Sequence, residues 1–272
     1  MKPMTTTWRL IDTGPLDGVR NMAIDEALLH HFDPATAMPI LRLYGWQPAA
    51  LSIGRFQKAA DDLHRERIAA DQLTVVRRIT GGGAIYHADE VTYAVICAPH
   101  QIPAASSVND SFRVLTSFLL AFYRDLGLHA AYAADAALPD RQVGGRTPFC
   151  FAGTERYDIL VNGRKMGGNA QRRQKAVIFQ HGSIPLCDRW REGLAYLRTR
   201  PEGLDDAVTS LATEGRDVAL SELKQRLTRC FCTQLGGRLQ PSGLSTGEQD
   251  TMQRLMDAKY RSPGWNWAGE LP

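Results

Sequence analysis

The chain has 272 residues, a net charge of +3, 44% hydrophobic and 22% charged residues, which is the balance of an ordinary globular protein large enough for one sizeable domain. No apolar run approaches the roughly 20 residues that cross a bilayer, so no membrane partner is expected. The cationic clusters Arg77-Arg78, Arg172-Arg173 with Lys175, and Arg198 with Arg200 are too short for a nucleic-acid-binding stripe, and suit an acidic protein partner equally well.

Residues 1–8 lack the apolar core of a secretory leader, and a cytoplasmic location is expected. Trp8–Ile11 reads as a short strand. Asn21 is placed to cap a helix through Phe32 whose apolar face includes Met22, Ala23, Ala27 and Leu28. Ile40–Tyr44 and Ala50–Ile53 read as strands around the Gly45-Trp46-Gln47-Pro48 turn, and Val75–Arg78 and Thr92–Ile96 as further strands around Gly81-Gly82-Gly83. Phe112, Leu115, Leu119, Phe122 and Leu126 recur at helical spacing, with Gly127 as a stop. Ala131–Phe149 reads as a loop.

Tyr157–Val161 and Arg164–Met166 form a hairpin around Asn162-Gly163, a pair suited to a type I′ turn. Ala176–Ile184 is another strand, and Pro201–Arg216 a polar loop or short helices. Leu220, Leu223, Leu227 and Phe231 mark one closing helix. Ser245 with Glu248 forms a capping box ahead of Met252, Leu255, Met256 and Tyr260 for a second. The expected architecture is α/β (α+β): a single domain over residues 1–272, with a mixed, largely antiparallel sheet flanked by helices and closing helices over about 218–262.

The five cysteines, Cys97, Cys150, Cys187, Cys230 and Cys232, are an odd number without zinc-type spacing, so neither a disulfide framework nor a metal site is expected. Phosphate-loop, dinucleotide and HExxH motifs are absent from the sequence. The glycines 81–83 serve either as a tight bend or as a close approach to a ligand. A lone strand lysine ordinarily points into solvent. Lys165, however, is followed by Gly167-Gly168, which leave room for a ligand beside the ammonium. A lone cysteine is ordinarily core filler, but Cys150 ends a loop just upstream of that cationic strand, where an ammonium would favour thiolate. His87 and His181 are possible partners for it.

Arg77–His87 (RRITGGGAIYH), Asn162-Gly163-Arg164-Lys165 with Gly167–Gln171, Asn21–Leu29 and Arg42–Trp46 together resemble the biotin/lipoate protein-ligase and lipoyl-transferase superfamily over about Trp8 to Leu186. Lys259–Trp267 resembles the end of the same proteins. Cys150-Phe151 and the stretch Gln174–Ser183 make the chain look most like the cysteine-dependent octanoyltransferases. The Gly83–His87 and Gly168–Ala170 segments are as close to the ATP-using lipoate ligases, while Asp89–Tyr93 follows the transferase style.

The resemblance implies the catalytic-domain fold of the protein ligases. It also implies a Cys150 acyl-thioester formed from octanoyl-acyl carrier protein and resolved by a lysine of a lipoyl-domain protein, either glycine cleavage H protein or a dehydrogenase E2 subunit. Lys165 would polarise the acyl carbonyl, with Arg78, Gly81, Gly82, Gly83, His87, Gly167, Gly168 and Asn169 shaping the pocket, and without metal or other cofactor. The alternative is a lipoate-protein ligase, acting through lipoyl-adenylate with ATP and Mg. In that case Lys165 would contact the adenylate and Cys150 would be incidental.

Overall fold

The computed structural model describes residues 6–103, 105, 107–136, 149–153 and 155–270. In chain order its strands are β1 (Thr6–Leu16), β2 (Ile40–Trp46), β3 (Ala50–Ile53), β4 (Thr74–Arg77), β5 (Ile85–His87), β6 (Glu90–Cys97) and β7 (Ala130–Tyr132). They continue with β8 (Ile159–Val161), β9 (Arg164–Met166), β10 (Asn169–Gln174), β11 (Val177–Pro185), β12 (Val208–Thr209) and β13 (Gly237–Pro241). The helices of ten or more residues are α1 (Gly18–His31), α2 (Val108–Asp125), α3 (Leu220–Leu235) and α4 (Thr246–Leu255).

The large sheet has the order β10-β11-β6-β2-β1-β13. Its first three ladders are antiparallel, and β1 lies parallel to both β2 and β13. Side chains alternate across a strand, so the two faces carry separate cores. Leu41, Leu43, Tyr93 and Val95 face α2 and α3, where Trp8 meets Phe231 edge-on with ring centroids 4.8 Å apart. Ile40, Tyr44, Ala94 and Ile96 belong to a second core with Met22 and Leu28 of α1 and with Trp265. The mixed, mainly antiparallel sheet flanked by helices is thus present. Beside it stand two smaller sheets, β12-β9-β8-β7 and β4-β3-β5.

Several local readings change. Asp17, not Asn21, caps α1: its carboxylate accepts the Arg20 N–H at 2.9 Å. Asn21 is buried one turn inside, donating to the Leu16 and Gly45 carbonyls while its oxygen accepts from Arg42. Residues 169–174, given no element in the sequence reading, form the edge strand β10. The polar stretch 201–216 contains β12, which pairs in parallel with β9, and β13 extends the large sheet. The capping box of Ser245 and Glu248 forms as expected, and Glu248 also accepts two bonds from Arg9 of β1. Most of the Ala131–Phe149 loop, residues 137–148, lies outside the described residues. Among those described, no helix is long and apolar enough to cross a membrane.

Candidate active site

Asn162 and Gly163 both have positive φ, as a type I′ turn demands, and the hairpin sets Lys165 on β9. The side chain does not reach solvent: Lys165 is 2% exposed. Its ammonium pairs with Asp158 Oδ2 at 2.7 Å and donates to the carbonyls of Cys150 at 2.9 Å and Gly153 at 2.7 Å. Three hydrogens meet three acceptors, so a substrate carbonyl reaches Nζ only by replacing one of them. Burial acts to lower the Lys165 pKa, but the charges of Asp158 and Cys150 outweigh it and the net shift is upward.

Cys150 opens a single 3-10 turn, Cys150–Ala152. Its N–H donates to the Ala84 carbonyl at 2.9 Å, and the preceding Phe149, fully buried, bridges to Ala84. The thiol is thereby anchored beside the glycine turn 81–83. Cys150, Gly81, Gly82 and Asn169 line both an outer cavity of about 600 Å³ and a narrow inner pocket of about 40 Å³. Gly83 and Lys165 border the outer cavity; Arg78, His87 and Gly168 border the inner pocket. A Cβ on Gly168 would lie 2.8 Å from the Cys150 Sγ, so glycine lets the sulfur sit against the backbone. Gly167 borders neither cavity. It has a φ of +77°, and a Cβ there would lie 2.0 Å from the Ser183 carbonyl oxygen, so its part is to turn β9 into β10.

Arg78 is 3% exposed, with Nη1 donating to Ser52 Oγ at 2.7 Å and Nη2 to the carbonyls of Gly81 and Gly83 at 2.9 and 3.1 Å. Burial brings its pKa down to about 10, against the opposing pull of Cys150 and Tyr44. His87 stacks on Trp46 at 3.9 Å and bonds Ser52 through Nε2 and Glu90 through Nδ1. His181 bonds Thr80 Oγ1 at 2.7 Å. Burial, reinforced by Arg78 and His87, holds its pKa well below the usual histidine value, so it is neutral at pH 7. Asn169 accepts the Tyr93 hydroxyl at 2.8 Å.

The structure thus gathers Cys150, Lys165, Arg78, Gly81–Gly83, His87, Gly168 and Asn169 around two connected cavities. Asp158, Ser52 and Glu90 escaped the sequence reading as functional residues. Glu90 was visible only as part of the Asp89–Tyr93 segment, and the other two are single polar residues inside apolar runs. Among the described residues no group of three His, Cys, Asp or Glu side chains is placed to hold a metal ion.

The helix-flanked mixed sheet has known counterparts. The model of the lipoyl protein ligase A/B catalytic domain matches residues 17–232, and the chain belongs to that family. It is similar to the octanoyltransferase LipM of Kyrpidia tusciae, 38% identical over 272 residues that cover 96% of this chain and 98% of that protein. The octanoyltransferase LipM of Halalkalibacterium halodurans is 35% identical, covering 96% of this chain and 99% of that one. In fold the chain matches a crystal structure of lipoate-protein ligase A bound with ATP, with a TM-score of 0.80, 23% identity and 97% and 99% of the two chains covered. The protein is an acyltransferase.

Proposed function

We propose that the protein is a cytoplasmic octanoyltransferase that takes an octanoyl group from acyl carrier protein onto Cys150 and passes it to a lysine of a lipoyl-domain protein, glycine cleavage H protein or a dehydrogenase E2 subunit. The observation that carries the proposal is the place of the Cys150 sulfur. Cys150 lines both the outer cavity and the inner pocket, and a buried cation borders each, Lys165 the outer and Arg78 the inner.

In the first step the Cys150 thiolate attacks the thioester carbonyl. The new C–S bond forms as the C–S bond to the carrier breaks, and the carrier thiolate takes up the proton that Cys150 lost. In the second, a neutral lysine amine attacks the Cys150 thioester. A C–N bond replaces the C–S bond, and the proton shed by the nitrogen returns to the sulfur. Dividing one transfer between two nucleophilic steps lets two bulky carriers use the same cavity in turn. Lys165 polarises the acyl carbonyl when it exchanges a backbone carbonyl for the substrate oxygen.

The test is intact-mass spectrometry after incubation with octanoyl-acyl carrier protein alone. One hydroxylamine-sensitive octanoyl adduct is expected, absent from Cys150→Ala and retained when Cys97, Cys187, Cys230 or Cys232 is replaced by alanine. Transfer that requires ATP, Mg and a free acid, with Cys150→Ala still active, would assign the chain to the ligases instead.

A further inference from the structure

Arg78 is a buried cation whose hydrogen bonds, among the described residues, run to neutral oxygens: the Ser52 hydroxyl and the Gly81 and Gly83 carbonyls. A guanidinium only donates. Ser52 Oγ therefore accepts from Arg78, and its own hydrogen is free for His87 Nε2, 2.6 Å away. The other ring nitrogen of His87, Nδ1, faces Glu90 Oε1 at 2.9 Å. Thr92 donates to the same Glu90 oxygen and Ser183 to the other at 2.8 Å, while the Trp46 indole N–H fills Thr92 Oγ1 at 2.8 Å. Burial alone would raise the Glu90 pKa, but His87, Thr92 and Ser183 together bring it down, so the carboxylate is charged. Glu90, His87, Ser52 and Arg78 thus form one continuous hydrogen-bonded chain, with a carboxylate at one end and a guanidinium at the other.

We infer that Ser52, His87 and Glu90 form a positioning relay that fixes the Arg78 guanidinium on the glycine turn and at the inner pocket that Cys150 also lines. The inference rests on Cys150 being the reacting group. Arg78 is the link through which the relay acts, because its other arm clamps the turn whose Gly81 and Gly82 border both cavities beside the sulfur. Among the described residues, the other charged groups lining the two cavities with Cys150 are the Lys165–Asp158 pair, with Lys58, Asp61, Asp62 and Glu155 on the outer cavity. His181 and Tyr44 face it from the inner pocket. None of these bonds to the relay's Ser52.

The test reads the pH dependence of Cys150 alkylation by iodoacetamide, followed by peptide mass mapping. Arg78→Met should move the midpoint upward by about one pH unit, the size of a lost neighbouring charge. Ser52→Ala should move it the same way by less, and the double variant should match Arg78→Met alone, since residues acting through one another are not additive. His87→Gln breaks the relay one link further out and should collapse onto the Arg78→Met background in the same manner, which keeps the test decisive should Ser52→Ala fold poorly. With octanoyl-acyl carrier protein the loss should fall on kcat rather than KM. Additive shifts, or midpoints that neither Ser52→Ala nor His87→Gln moves, would overturn the relay. Alkylation needs no acyl donor, so this outcome is separable from failure of the octanoyl reading.

Discussion

Lys165 has a structural part beside the chemistry proposed for it, because its ammonium neutralises Asp158 and both side chains are almost wholly buried at the wall of the outer cavity. An exposed strand lysine could be exchanged without loss of stability. Here Lys165→Met strands a buried carboxylate and two carbonyls. Unfolding in urea should show a loss of about 3–5 kcal/mol, the usual result of breaking a buried pair. Octanoyl transfer should fall roughly a hundredfold, as for removal of one preorganised donor. A variant with unaltered stability and activity would remove Lys165 from both roles. The Lys165 pKa lies above that of an unfolded lysine, so its contribution is complete at neutral pH and is lost only in alkali. His181 has the opposite dependence. Its folded pKa is depressed by burial, so the unfolded chain binds the extra proton as pH falls through about 6.5. Denaturation midpoints should drop between pH 7 and 5 more steeply in the wild type than in His181→Gln, and parallel curves would show that His181 is not buried as a neutral ring. Asp25, 3.9 Å from His181 and raised by burial, acts in the contrary sense in acid, and the comparison of the two proteins cancels it.

At the level of elements, the turn from β9 to β10 separates two glycines of different purpose. Gly167→Ala puts a Cβ 2.0 Å from the Ser183 carbonyl at a positive φ, and should cost more than about 2 kcal/mol in thermal or urea unfolding. Gly168→Ala directs its methyl at the Cys150 sulfur, 2.8 Å away, and should slow octanoyl-adduct formation while leaving the melting temperature near that of the parent. Equal effects of the two on stability would refute the distinction. The hairpin that carries Lys165 was legible in the sequence, since Asn162-Gly163 specifies its turn and apolar residues its first strand. β10 was not: NAQRRQ has no alternation and gains its place only by pairing with β11. The short polar edges β12 and β13 escaped for the same reason. In the site, Cys150, Lys165 and the glycines at 81–83 were legible as a motif. Ser52 and Glu90 were not, because their meaning comes from His87, 35 residues from the one and beside the other only once β5 and β6 are folded.

Across the whole molecule, the closing segment binds the site's walls to the rest of the chain. Arg77, read in the sequence as one of a pair of surface cations, is 1% exposed. Its guanidinium donates to the carbonyls of Gly54, Arg55 and Gln57 and to those of Trp265, Asn266 and Trp267. The clamp is reciprocal: Asn266 accepts the Arg77 N–H, and the Trp265 indole donates to its carbonyl. Nearby, Lys259 and Tyr260 both bond Glu26 of α1. One side chain therefore joins the segment 264–268 to the loop whose Phe56 and Gln57 border the outer cavity. Lysine lacks the planar fork needed to reach carbonyls on two segments at once, so Arg77→Lys should behave nearly as Arg77→Met. Either change should lower the local opening free energy of 264–268 by roughly 2 kcal/mol, the scale of a hydrogen bond to a charged group, which corresponds to about thirtyfold faster amide exchange there. Exchange in α2 and α3, which pack on the opposite face of the sheet, should stay unchanged. If 264–268 exchanges at the parent rate in Arg77→Met, aromatic packing around Trp265 holds the segment and the clamp is incidental.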